Sequence, residues 1–213
     1  MRTRRGAAWG AFAAACVVVL LGVLIARAWP PLLELDQRIA TSVHAWALRT
    51  PWAVDAARVL ETIGRFRFSF WVVLGTTALL LLARRWRHAL ALVLVAALAP
   101  WITDLIKPVV GRARPVWETA LGSEATLSYP SGHATAGIAV YAACGIALGG
   151  LLRDPARGAA VAALGLLLGI SIGLSRVVLG VHWPSDVVGG WCVALAVGGA
   201  MSALLVLPTR RGT

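Results

Sequence analysis

Residues 158–207 read GAAVAALGLLLGISIGLSRVVLGVHWPSDVVGGWCVALAVGGAMSALLVL. Two runs within it, 158–178 and 185–207, are almost wholly apolar. Each has the roughly twenty residues that a helix needs to cross a bilayer. Between them Ser175, Arg176, His182 and Asp186 crowd into a short polar patch. Ionisable groups at the ends of spanning helices are expensive to keep there and usually have a task. The stretch therefore predicts two membrane spans with chemistry at the turn between them.

The same pattern extends outward. Apolar runs at 132–152, 89–107, 66–83 and 7–28 predict four further spans, six in all. The expected fold is all-α: a polytopic bundle of six transmembrane helices forming one domain over residues 1–213. Composition agrees, since 59% of the residues are apolar and 14% charged, against roughly 45–50% and about 25% in ordinary globular chains. The stretch 32–64 mixes charges with apolar residues at helical spacing and predicts one or two amphipathic helices at the interface. Residues 109–130 carry Gly, Pro and polar groups and form the longest irregular loop. The first run is longer than the 7–15 apolar residues usual in a signal peptide and reads as a retained span.

The net charge of +11 comes from 20 Lys and Arg against 9 Asp and Glu, with Lys107 the only lysine. The arginines fall in short clusters between apolar runs rather than along one stripe, which suits membrane orientation and anionic headgroups and argues against nucleic acid. Arg2, Arg4 and Arg5, then Arg84, Arg85 and Arg87, then Arg153 and Arg157, then Arg210 and Arg211 all fall on one side of a six-span bundle. The positive-inside rule assigns that side, with both termini, to the cytoplasm, and the polar patches to the outer face of the plasma membrane. Cys16, Cys144 and Cys192 lie within apolar runs, without metal-ligand spacing, and read as small hydrophobes.

Two more patches join the one between the last spans. Lys107-Pro-Val-Val-Gly-Arg-Ala-Arg114-Pro115 leaves the third span, and Pro130-Ser131-Gly132-His133 opens the fourth. Lys107, Arg114 and Arg176 offer three positive charges, two of them guanidiniums able to hold phosphate oxygens in pairs. Ser131 and Gly132 stand where an N-cap and first turn belong, so their backbone N–H groups and the helix dipole make an anion cradle. His182 and Asp186 are four apart, one helical turn, so the carboxylate can orient the imidazole and support charge developing on it. Pro184 suits the first helical position. His133 is a second imidazole, suited to protonating a leaving oxygen.

These three patches resemble the signature of the type 2 phosphatidic acid phosphatase superfamily, K-x6-RP, then PSGH, then SR-x5-H-x3-D. Lys107 with Arg114-Pro115, Pro130 to His133, and Ser175-Arg176 with His182 and Asp186 match every fixed position. The six-span layout resembles the membrane-bound bacterial lipid phosphatases of that family. The resemblance implies that His182 is the nucleophile that becomes a phosphohistidine and Asp186 its orienting partner. It implies that His133 is the acid for the leaving alcohol and then the base for water, and that Lys107, Arg114, Ser131, Gly132 and Arg176 hold the phosphate. It also implies catalysis without a metal or other cofactor, and the sequence shows no cluster at ligand spacing. The partners expected are the bilayer and a lipid phosphate or diphosphate, undecaprenyl diphosphate or a glycerolipid phosphate, hydrolysed or passed to another lipid.

Each residue also has an ordinary explanation. Arginines at helix ends commonly set topology, Ser131 can be a plain N-cap, and Asp186 can complement a helix dipole. A non-catalytic lipid-binding homologue is the corresponding alternative for the whole chain. Those explanations are independent of one another, whereas the oxyanion site accounts for all the spacings together. His44 and His88 lie outside the motifs, Asp104 is spaced to pair with Lys107, and the Trp residues fall near span ends as an interfacial belt.

Overall fold

The computed structural model describes residues 4–206. Eight helices follow in order: α1 Arg4–Ala26, α2 Pro30–Leu48, α3 Pro51–Gly64, α4 Phe66–Leu82, α5 Trp86–Val110, α6 Gly132–Gly149, α7 Pro155–Val178 and α8 Pro184–Val206. Among the described residues there is no strand. Five helices, α1, α5, α6, α7 and α8, are long and apolar enough to cross a membrane unaided. The expected span at 66–83 is α4, which meets that length only together with α3, from which it bends by 55° at Arg65. The amphipathic stretch is two helices, as expected, and the second of them is half of this bent pair. The protein is an integral, multi-pass membrane protein, and its outward side chains fit that solvent: Phe12, Leu164, Leu167, Leu195 and Leu204 are all exposed.

Local sequence sets the helix ends. Asp154 caps α7 by accepting from Ala156 N at 2.9 Å, with Pro155 at the first helical position. The left-handed Gly111 (φ 66°) ends α5, its N–H returning to Lys107 O at 2.9 Å. Within α6 the turn Gly137–Ala142 is π-helical.

The closest seam in the bundle joins α6 to α7. A Cβ placed on Gly137 would stand 2.5 Å from Gly169 O, one on Gly165 2.4 Å from Tyr141 O, and one on Gly149 2.3 Å from Gly158 O. Backbones this close are the membrane solution to packing without a hydrophobic drive, with small residues letting dispersion act at short range. The seam fixes the start of α6, carrying His133, beside the end of α7, carrying Arg176. On a further side of α6, Val95, Ala99, Ile138, Ala139 and Val193 join α5, α6 and α8 in one core.

Helix direction sorts the charges. The start of α6 and α8, the end of α5 and α7, and the loop from α5 to α6 all lie at one end of the bundle, beside α2 and α3. Arg4, Arg5, Arg84, Arg85, Arg87, Arg153 and Arg157 lie at the other, where Arg4 Nη2 donates to Leu204 O at 3.2 Å. Arg2, Arg210 and Arg211, expected to join them, lie outside the described residues, as does the last residue of the expected span 185–207.

Candidate active site

His182 sits in the turn from α7 to α8, 2% exposed, beside a fully buried Asp186. Asp186 Oδ2 accepts from Trp183 N at 2.9 Å and Ser128 Oγ at 2.5 Å, and faces His182 Nδ1 at 3.3 Å. With Nδ1 turned to the carboxylate, the other ring nitrogen points into the polar pocket, where Arg114 Nη1 donates to Nε2 at 2.9 Å. Burial drives the His182 pKa down from 6.5 to about 4; the Asp186 carboxylate opposes this, and Arg114 and Arg176 add to it. The imidazole is therefore neutral at ordinary pH, with its lone pair on the nitrogen facing the cations.

Asp186 is itself held from behind. Its Oδ1 accepts from Arg112 Nη1 at 2.7 Å, and Arg112 Nη2 donates to Asp36 Oδ2 at 2.6 Å. Asp36, from α2, also accepts Ser185 N at 2.9 Å and the Ser185 hydroxyl. A buried ion triad of this kind is stable only if its remaining lone pairs are satisfied, and here Ser185 and Ser128 do that. Arg112, Asp36 and Ser128 were not read from the sequence as site residues. Arg112 was visible as the other arginine of the Arg-Ala-Arg run, whereas nothing local marks Asp36.

The predicted cations converge through the loop before α6. Lys107 Nζ donates to Leu127 O at 3.0 Å and Pro130 O at 3.2 Å, and Arg114 Nη2 reaches the same Leu127 oxygen at 3.2 Å. Arg114 Nη1 also holds Val181 O at 2.7 Å. Burial lowers the Arg114 pKa, with Glu124 opposing, yet a guanidinium stays charged throughout the accessible range. Asp104, spaced to pair with Lys107, is exposed and makes no ion pair with it; the lysine turns inward to carbonyls instead.

Arg176 is 1% exposed, and its Nη2 donates to Glu124 Oε1 at 2.6 Å while Nη1 lies 3.4 Å from Glu61 Oε1. Its Nε and Nη1 have no hydrogen-bond partner among the described residues. His133 Nδ1 stands 4.0 Å from the same Glu124 oxygen, and His133 Nε2 is likewise without a partner. A buried guanidinium with unpartnered donors beside an imidazole has the chemistry to bind an oxyanion. Ser131 caps α6, its Oγ accepting from Ala134 N at 3.4 Å. Its own N–H is spent on Asp186 O at 3.0 Å, so of the expected backbone pair only the Gly132 N–H is left for an anion. In front of Gly132 a Cβ would meet nothing within 4 Å.

One expectation needs correcting. Glu61, Glu124 and His133 bring ligand atoms within 4.8 Å of one another, a cluster invisible in sequence because α3, the loop and α6 each supply one member. Both carboxylates face Arg176, so a metal ion there would stand against a buried guanidinium. The donor set fits an ion-pair network better than a metal site. Trp117 anchors the loop by donating to Gly180 O at 2.8 Å and stacking on His44.

From His133 a groove of about 530 Å³ runs along the flank of the bundle between α4, α5 and α6. Phe66, Phe70, Leu74, Val93 and Pro100 line it, and Arg65, Gly132 and His133 stand at its polar end.

Residues 88–209 match the family model described as the PAP2 superfamily. The chain belongs to that superfamily. A PAP2 member with this architecture is an integral membrane hydrolase of phosphate esters, and its relatives are lipid phosphatases. Decaprenylphosphoryl-5-phosphoribose phosphatase of Mycobacterium tuberculosis is 30% identical over 169 residues, covering 78% of this chain and 88% of that protein. Phosphatidylglycerophosphatase B of Bacillus subtilis is 27% identical over 73% of this chain and 77% of its own length. The crystal structure of a transmembrane PAP2 type phosphatidylglycerolphosphate phosphatase from Bacillus subtilis shares the fold, with a TM-score of 0.81 at 22% identity over 91% of this chain and 94% of that one.

Proposed function

We propose that the protein removes phosphate from a lipid phosphate or diphosphate by way of a phosphohistidine on His182. One observation carries this reading: the Nε2 of a neutral, carboxylate-oriented imidazole faces Arg114 at 2.9 Å. Phosphate enters between Nε2 and the cations, taking hydrogen bonds from Arg114, Arg176 and Lys107 and the Gly132 N–H. Nε2 attacks phosphorus, and Asp186 supports the positive charge that grows on the ring. His133 gives a proton to the leaving oxygen and then takes one from the water that splits the phosphohistidine. No step calls on a metal, because three cationic side chains already supply the charge.

The groove supports a lipid substrate: its walls suit an acyl or prenyl tail, and tail burial would position the reacting phosphate. The relatives named for polyprenyl-linked and glycerolipid phosphates leave both classes in view. Arginine clusters at the opposite end of the bundle favour an outward-facing site, with N- and C-termini cytoplasmic, and an outward site favours undecaprenyl diphosphate. Transfer of the phosphoryl group to a second lipid uses the same intermediate, and a labelled donor distinguishes it by its product.

The test is phosphate release from a panel of purified lipid phosphates in detergent, by wild type and His182→Ala, with and without excess EDTA. Loss of turnover by at least about a thousandfold in the variant, at unchanged thermal stability, is expected. EDTA should leave the wild-type rate as it was. Full activity in His182→Ala would remove the nucleophile, and Mg²⁺-reversible loss in EDTA would require another mechanism.

A further inference from the structure

Between the phosphate pocket and the apolar groove stands a cation outside all three motifs. Arg65 lies at the break between α3 and α4, where its side chain is 63% exposed. It lines the groove together with His133 and Gly132. Its Nη2 donates to Glu61 Oε1 at 3.3 Å, and that same oxygen lies 3.4 Å from Arg176 Nη1. Arg65 is thus one carboxylate removed from the buried Arg176, on the lipid side of His133. Its other guanidinium nitrogens have no hydrogen-bond partner among the described residues. An exposed i,i+4 pair of this kind contributes only about 0–1 kcal/mol. The arginine is therefore free to turn towards a ligand.

We propose that Arg65 receives the second, non-scissile phosphate of a lipid diphosphate, and so selects diphosphates over monophosphates. This rests on the proposed reaction at His182. As the bond from His182 Nε2 to the terminal phosphorus forms, the bond from that phosphorus to the bridging oxygen breaks. Its electron pair stays with the departing group. In a monophosphate ester that group is an alcohol, whose oxygen needs a proton from His133. In a diphosphate it is a lipid phosphate, a stable anion that needs a cation more than a proton. The departing group must leave past His133 into the groove, and Arg65 stands at that mouth. Apart from His133 and the hydroxyls of Ser69 and Thr77 the lining is apolar, so Arg65 is the one side chain along the groove that brings a permanent positive charge to the departing anion.

The experiment compares farnesyl diphosphate with farnesyl monophosphate in the same detergent, using wild type, Arg65→Gln and Arg65→Lys. The reading is the ratio of kcat/KM for diphosphate to that for monophosphate. A charge-assisted hydrogen bond lost from the leaving group lowers that ratio about tenfold or more in Arg65→Gln. Arg65→Lys, which keeps the charge, restores part of it. A merely structural arginine would lower both rates together and leave the ratio in place. A change of less than about tenfold in Arg65→Gln, or equal ratios in the Gln and Lys variants, overturns the proposal. Failure of the underlying reaction would show differently, as full turnover in His182→Ala whatever the residue at 65.

Discussion

The two flanks of α6 are built on opposite principles. On the α7 side, glycines bring backbone against backbone, and nothing larger than hydrogen fits at residues 137, 165 or 149. On the α4 side, the helices part to leave about 530 Å³ lined by Phe66, Phe70, Leu74 and Val93. The closed flank fixes the relative position of His133 and Arg176, which the proposed phosphoryl transfer needs to within fractions of an ångström. The open flank leads along apolar walls to His133 and Gly132. A phosphatase whose substrate lives in the bilayer needs both, and α6 divides them.

The sharpest way to break the comparison is to make one substitution on each side. Gly165→Val drives a side chain into Tyr141 O at 2.4 Å and Gly145 Cα at 2.9 Å, both backbone atoms that cannot swing away. Gly75→Val, in α4, meets nothing within 4 Å. Overpacking against backbone costs about 3 kcal/mol, so Gly165→Val should lower the thermal midpoint in detergent by roughly 6–12 °C. Gly75→Val should stay within a few degrees of wild type. Equal midpoints would mean that the seam is looser than described.

Much of this was legible in the sequence, and what was not has a physical reason. The spans could be read because each is a local property of some twenty residues. The motif residues could be read because they lie close together in sequence: His182 precedes the cap of α8 and Asp186 sits in its first turn, so four residues bring imidazole and carboxylate to 3.3 Å without the helical turn expected between them. Asp36 and Arg112 meet across 76 residues, and Asp36 and Ser185 across 149, so only the closed bundle reveals them. Glu61 and Glu124 were hidden in the same way, as members of a pocket assembled from three separate elements. The spare N–H of Ser131 was misjudged because its acceptor, Asp186 O, comes from another helix. The bend at Arg65 carries no proline to announce it. The glycines of α7 were visible, but their use depends on which helix lies opposite.

A second prediction sharpens the contrast between a locked histidine and an ordinary one. The folded protein holds the His182 pKa near 4, whereas the unfolded chain titrates at 6.5. Above pH 6.5 both states carry a neutral imidazole and His182 contributes no pH dependence. As pH falls from 6.5 towards 4 the unfolded state takes up a proton that the folded state refuses, and stability is lost. The loss attributable to this residue is on the order of 3 kcal/mol by pH 4. The drop in thermal midpoint between pH 7 and pH 4 should therefore be smaller in His182→Ala than in wild type. Identical drops would show that His182 is free to protonate in the folded state, and the proposed nucleophile would then lose its lone pair in mild acid.

The smallest expected effect addresses the open flank. Ala97 lines the groove from α5 and is exposed, so a larger side chain there enters the cavity and leaves the core untouched. In Ala97→Phe the ring competes with a lipid tail for the same apolar wall. Losing one or two buried methylene contacts costs about 0.8 kcal/mol each, so kcat/KM for a long-chain lipid phosphate should fall about tenfold. A short-chain or water-soluble phosphate monoester, which does not reach along the groove, should lose much less. The decisive quantity is the dependence on tail length, measured by phosphate release across a series of chain lengths at constant detergent. If Ala97→Phe lowers all lengths equally, the groove does not carry the tail, and the lipid must approach His133 from another side of the bundle.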